Sequence, residues 1–150
     1  MDANLRCPRL HEIFNIEYRQ GASNLLTKDE DKTSFVKIVG HGGLYFTSCR
    51  ENNSEPINLF ESIRFEKTLK IMRKKFDYVI IDTPPVNSYA ESIVIATKVD
   101  GVVLVLESDK TRQQVALRAK QEMQKAGANV LGVILNKRKH YIPEWIYKRL

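Results

Sequence analysis

Three short stretches of this chain are continuously apolar and rich in β-branched residues: Tyr78–Asp82 (YVIID), Gly101–Leu106 (GVVLVL) and Val130–Leu135 (VLGVIL). A strand on a half-solvated sheet alternates apolar and polar side chains. These three do not, so they are expected to be strands buried on both faces. Segments with helical spacing, Ala90–Thr97 and Thr111–Ala126, fall between them. Strand–helix–strand order implies right-handed crossovers and a parallel sheet with helices packed on it. The expected fold class is therefore α/β, three-layer, with a mostly parallel sheet flanked by helices.

Upstream the pattern is looser. Leu10–Phe14 reads as a short helix and Gly21–Leu26 as the start of another turn. Phe35–Val39 and Leu44–Thr47 read as strands on either side of Gly40-His41-Gly42-Gly43, and residues 51–56 as a surface connection. Asn58–Lys75 is expected to be one helix, with Phe65, Leu69, Met72 and Phe76 on its inner face. Val115, Ala119, Met123 and Ala126 repeat that spacing, and Gly127 stands where a C-terminal cap belongs.

Length and composition bound the function classes. The 150 residues suit one domain, and 43% hydrophobic with 28% charged residues is ordinary for a globular protein. No apolar run approaches the roughly 18–20 residues needed to cross a bilayer, and no signal-peptide core follows Met1, so a cytoplasmic location is expected. Cys7 and Cys49 lack metal or redox spacing and read as buried or incidental thiols. His41 and His140 have no ligand partners at metal spacing. The net charge of +6 gathers in residues 67–75, 110–125 and 137–149. The first two clusters read as solvated helix faces. No nucleic-acid module is visible, and charge alone gives only non-specific affinity.

In an open α/β sheet, ligands sit beyond the carboxyl ends of the strands. Asp82, Glu107 and Asn136 all stand at such ends. An acidic residue closing an apolar strand, followed here by Thr83-Pro84-Pro85, looks like a Walker B motif, whose carboxylate orients Mg²⁺ through water beside nucleotide phosphates. The alternative is that Asp82 caps the turn into the next helix. On these residues alone the two readings stand level.

The opening "MDANLRCPRLHEIF", taken with "FDYVIIDTPPV" and "VLGVILNKR", resembles the bacterial tyrosine autokinases of capsule and exopolysaccharide export, within the wider MinD/ParA-like P-loop class. In that family a strand ends in Asp-x-Asp-x-Arg, the Walker A′ motif, followed by Pro and then His-x-x-Phe. Asp2, Arg6, Pro8, His11 and Phe14 match it, and "GASNLLT" is similar to the family's Gly-Leu-Ser-x-x-Leu segment. The resemblance implies ATP and Mg²⁺ as ligands, with Asp2 and Asp82 as catalytic and metal-orienting carboxylates acting through water. It implies Asn136 and Arg138 as nucleotide contacts, and Tyr141 and Tyr147 as phosphoacceptors in an aromatic, basic tail over residues 139–150. Residues 1–138 would then be the C-terminal part of a P-loop kinase/ATPase domain. The implied partners are a polysaccharide co-polymerase membrane protein and further copies of the chain. Contact with the membrane would be peripheral, at the inner face of the plasma membrane, and no specific nucleic acid is implied.

Three departures qualify this. No Gly-x-x-x-x-Gly-Lys-Ser/Thr occurs in the 150 residues, and Gly40–Gly43 has no Lys-Ser/Thr after it. The sequence thus looks like a family member without its N-terminal part, expected to be inactive alone; Tyr78–Asp82 is then left with an exposed edge, covered by direct pairing of the strands, or covered by a partner. Asn4 stands where the family has its second Walker A′ aspartate, and an amide cannot act as a base. The tail has two tyrosines where family tails carry a denser cluster. A non-catalytic regulatory protein, or a MinD/ParA-like partitioning or positioning factor, is the alternative function. His11 and Arg6 read as structural or interface residues. The alternative for Asn136 is a turn residue after a strand, and Arg138 reads more readily as a partner for a carboxylate than as a base contact.

Overall fold

The computed structural model describes residues 1–16, 36–37, 42–48 and 56–139. The expected turn at Gly21–Leu26, Cys49 and the tail tyrosines lie outside these residues. The chain divides into two compact units, Met1–Ile95 and Ala96–Leu150.

In the first unit the N-terminal segment is the organising strand. Asp2 makes parallel bridges to Ser48 on one side and to Asp82 on the other. The bonds are Asp2 N–H to Thr47 O (2.9 Å), Ala3 N–H to Asp82 O (2.8 Å) and Asp82 N–H to Met1 O (2.9 Å). The Met1 ammonium adds a bond to Ile80 O at 2.7 Å. Helix α1 (Leu10–Ile13) follows. Strands β1 (Val36–Lys37) and β2 (Tyr45–Phe46) pair antiparallel, Val36 opposite Phe46.

The single helix expected over Asn58–Lys75 is two, α2 (Pro56–Glu61) and α3 (Ile63–Lys75). Ser62 divides them. Its hydroxyl donates to Leu59 O (2.6 Å), closing α2, and accepts from Phe65 N–H (3.2 Å), capping α3. The predicted inner face is correct for Phe65, Leu69 and Met72, which are buried; Phe76 is half-buried in the C-cap. Phe60 and Phe65 meet edge-to-face at 5.2 Å. Each such buried side chain contributes about 1.5–3 kcal/mol.

Tyr78–Asp82 forms no ladder beyond the bridge at Asp82. It is not buried on both faces either: Tyr78 and Ile80 are 89% and 82% exposed. Val79 and Ile81, pointing the other way, are half-buried. On one side the Tyr78–Asp82 backbone is covered by the N-terminal segment, through the Met1 and Ala3 bonds to Ile80 and Asp82.

Helix α4 (Glu91–Ala96) carries the chain past the last residue of the first unit, Ile95. In the second, β3 (Val102–Glu107) and β4 (Val130–Asn136) pair in parallel across α5 (Gln113–Lys125), from Val103 opposite Gly132 to Glu107 opposite Asn136. This is the predicted strand–helix–strand unit. Burial on both faces is again not found, since Val105 is 62% and Leu131 66% exposed. Continuous apolarity signals two covering layers; among the described residues of this unit, the helix packed on β4 is α5. Ala119 and Met123 of α5 are buried as predicted, while Val115 and Ala126 are exposed.

Two glycines are required. Gly127 (φ 84°) ends α5 in a Schellman motif, with Gly127 N–H on Gln124 O and Ala128 N–H on Met123 O, both 3.0 Å. A Cβ at Gly101 would run into the Leu131 side chain.

Candidate functional site

The Asp2–Asp82 bridge places two carboxyl-bearing residues on neighbouring backbone segments at the end of the first unit's parallel pairing. Their surroundings differ. Asp2 is fully buried, and its carboxylate accepts three backbone N–H groups, each at 3.1 Å: Asn4 on Oδ1, and Arg9 and Leu10 on Oδ2. A carboxylate has about four acceptor positions, so Asp2 spends most of them ordering residues 4–10 and the start of α1. What it offers a nearby cation is chiefly charge at short range.

Asp82 is exposed as a residue, yet its carboxyl is partly walled in by protein. That burial, and next the negative Asp2, push its pKa above the ordinary value of 3.8, against the Met1 ammonium and a bond from Thr83 N–H. It does not cap the following helix, because α4 begins only at Glu91. A raised pKa means the folded state holds the proton more tightly than the unfolded one. Asp82 therefore favours folding below pH 3.8, and that contribution is lost as pH rises through the raised value. Asp82→Asn is expected to be more stable than the parent chain at pH 7, with the gain vanishing near pH 3. Urea denaturation at the two pH values checks this, and a gain confined to acid would refute it.

Asn4 braces the loop. Its Oδ1 accepts Cys7 N–H at 3.0 Å. Cys7 itself is exposed, not buried. Arg6 Nε donates to Glu91 Oε1 at 3.0 Å, and its guanidinium lies 5.1 Å from the Tyr89 ring centroid. The Glu91 side chain is 3% exposed, so this pair ties the loop after Asp2 to the first residue of α4. Ser92, also buried, donates to Pro84 O at 2.6 Å and fixes the Thr83-Pro84-Pro85 turn to the same helix. Arg6, expected to be a structural or interface residue, thus makes a structural contact. His11 Nε2 lies 4.0 Å from Glu12 Oε1.

At the ends of β3 and β4, Ser108 N–H bonds Asn136 O at 2.9 Å. Asn136 is exposed and its Oδ1 accepts Lys137 N–H at 2.8 Å, which leaves the amide N–H₂ for another acceptor. Lys137 takes a left-handed φ of 54°. Its Nζ reaches Glu107 Oε1 at 3.1 Å while Lys110 Nζ reaches Oε2 at 3.3 Å. Both bonds hold the Glu107 carboxyl below its usual range. Arg138 is exposed beside them.

No protein-family model matches the chain. The tyrosine-protein kinase CpsD of Streptococcus agalactiae is 37% identical over 118 residues, 79% of this chain and 52% of that protein. Among solved structures, the VpsO kinase domain superposes with a TM-score of 0.83 at 28% identity, covering 92% of this chain and 68% of that one. The kinase domain of the Escherichia coli tyrosine kinase ETK gives 0.83 at 27%, covering 95% and 57%. The chain belongs to the bacterial tyrosine-kinase family. It spans roughly half to two-thirds of the lengths of these relatives. Its α/β fold is that of the tyrosine-kinase domains.

Within that kinase fold, Asp2 and Asp82 are brought together, and Asn136 and Arg138 follow one strand end. Glu91 was missed, as were the Arg9 and Leu10 amides bound to Asp2. A buried acid must have a partner, but nothing local tells that Glu91 meets an arginine 85 positions away. The amides were closer to legible, since a short helix predicted at Leu10 needs acceptors for its first N–H groups.

Proposed function

We propose that these residues are the part of an ATP-dependent tyrosine autokinase that carries its Walker A′-type and Walker B-type carboxylates, in a system controlling capsular or exopolysaccharide chain length and export. The observation that carries the reading is the Asp2–Asp82 bridge, with Asp82 exposed and its proton affinity raised partly by Asp2. A divalent cation would relieve that repulsion. Among the described residues no group of three or more His, Cys, Asp or Glu could hold a metal. Two carboxylates suit Mg²⁺, which keeps several waters and is completed by phosphates. Bound there, Mg²⁺ would neutralise charge on the phosphates of ATP.

The chain's own residues would then act as follows. Asp82 orients the metal's water shell, while Asp2 supplies charge and holds the loop. The free amide N–H₂ of Asn136 donates to a ring nitrogen of the purine, and the Arg138 guanidinium contacts the nucleotide. Tyr141 and Tyr147 are the phosphoacceptors, presented to a neighbouring copy. The partner is a polysaccharide co-polymerase at the inner face of the plasma membrane. No helix of the described residues is long and apolar enough to cross a membrane.

Phosphoryl transfer depends on positioning by a P-loop and its lysine, and these 150 residues contain no such motif. By themselves they are expected to turn over no ATP above background. Joining a relative's P-loop segment ahead of Met1 is expected to give Mg²⁺-dependent binding of a fluorescent ATP analogue. An amide at Met1 can still donate to Ile80 O. A folded fusion that binds no nucleotide would instead favour a non-catalytic regulatory role.

A further inference from the structure

Helix α3 carries six basic residues (Arg64, Lys67, Lys70, Arg73, Lys74 and Lys75) against one acid, Glu66, so it holds +5 in a chain whose net charge is +6. All six are exposed. Arg73, Lys74 and Lys75 have a local reason to be there, since cations in the last turn complement the helix dipole. Arg64, Lys67 and Lys70 stand in the first and middle turns, beyond the reach of that effect.

Their arrangement is linear. At 3.6 residues per turn, Ile63, Lys67, Lys70 and Lys74 share one line, opposite the buried Phe65, Thr68, Leu69 and Met72. That line is roughly 16 Å long, and Ile63 at its start is 73% exposed. A straight row on a convex helix fits a flat anionic surface better than a pocket. None of the exposed α3 side chains is aromatic, so base stacking is not on offer.

We propose that this outward row of α3 docks the protein on an anionic lipid surface, the lysines on headgroup phosphates and Ile63 at the acyl boundary. The surface does not rest on the kinase reading, since docking needs neither nucleotide nor either aspartate.

Co-sedimentation of the 150-residue chain with vesicles tests it, without nucleotide. Binding is expected to phosphatidylcholine vesicles that also carry phosphatidylglycerol, to weaken with salt, and to be absent with phosphatidylcholine alone. Each basic residue near such a surface is worth about fivefold in partitioning. Replacing Lys67, Lys70 and Lys74 together by glutamine should cost roughly 10²-fold. The same charge removed from α5, by Arg118→Gln, Lys120→Gln and Lys125→Gln, should cost far less. Equal losses from the two helices would show that only net charge matters and would overturn the proposal. So would equal binding to uncharged vesicles, or tighter binding of duplex DNA than of vesicles through the same lysines. Far-UV circular dichroism confirms that both variants keep their helices.

Discussion

Replacing Asp2 by alanine is expected to cost about 3–5 kcal/mol of folding stability, as three partly buried N–H groups lose a charge-assisted acceptor. The donors belong to Asn4, Arg9 and Leu10, each 3.1 Å from the carboxylate. Asp2 is fully buried, so water cannot readily take its place. The neighbouring bridges to Ser48 and Asp82 use the Asp2 backbone and survive the substitution on paper, but the loop through residue 10 loses its anchor. Asp2→Asn keeps one acceptor oxygen and should lose less. Urea denaturation gives both values. An alanine variant within about half a kcal/mol of the parent, the range of an ordinary surface change, would mean that the carboxylate does not hold this loop.

The second large effect concerns rate. In the protein joined to a P-loop segment, Asn4→Asp is expected to raise single-turnover phosphoryl transfer by about 10²-fold or more, because general-base assistance is typically worth roughly 10²–10⁴. Nucleotide affinity should barely change. The substitution is close to isosteric, and one carboxylate oxygen can keep accepting Cys7 N–H as Asn4 Oδ1 does now. The other oxygen brings the base and charge that an amide lacks. The bracing bond to Cys7 also supports the opposite view, in which Asn4 only shapes the turn toward Arg6. Labelled-ATP rates separate the two. Equal rates with and without the change, beside a large loss for Asp2→Asn, would show that Asp2 alone carries the chemistry.

The second unit was the more legible in sequence. The strand–helix–strand order across residues 102–136 survives almost residue for residue, because β-branched runs, the apolar pair Ala119 and Met123, and the terminating Gly127 agree with one another. Burial was the misreading. Val105 and Leu131 are written for a two-sided interior, and continuous apolarity records what a strand is fit to bury, not what these residues by themselves supply. The same holds at Tyr78 and Ile80.

At the candidate site the residue types were readable and their states were not. Asp2 and Asp82 could be named from motif positions. Only coordinates distinguish a carboxylate spent on three amides from one left exposed with a raised pKa. Ser62 was readable in principle. A serine three positions before a run such as Phe65–Leu69–Met72 is a cap signal, and the continuous helical spacing on both sides hid it.

The central claim is that Asp82 faces the metal of a nucleotide site. It is tested most directly by titrating Mg²⁺ into the P-loop-joined protein with an ATP analogue present, with and without Asp82→Asn. A carboxylate that orients a metal's water shell is worth about 10–100-fold in metal affinity, so the half-saturating Mg²⁺ concentration should rise by that factor in the variant. Superimposable titrations would contradict the assignment and leave Asp82 as a structural residue beside Asp2.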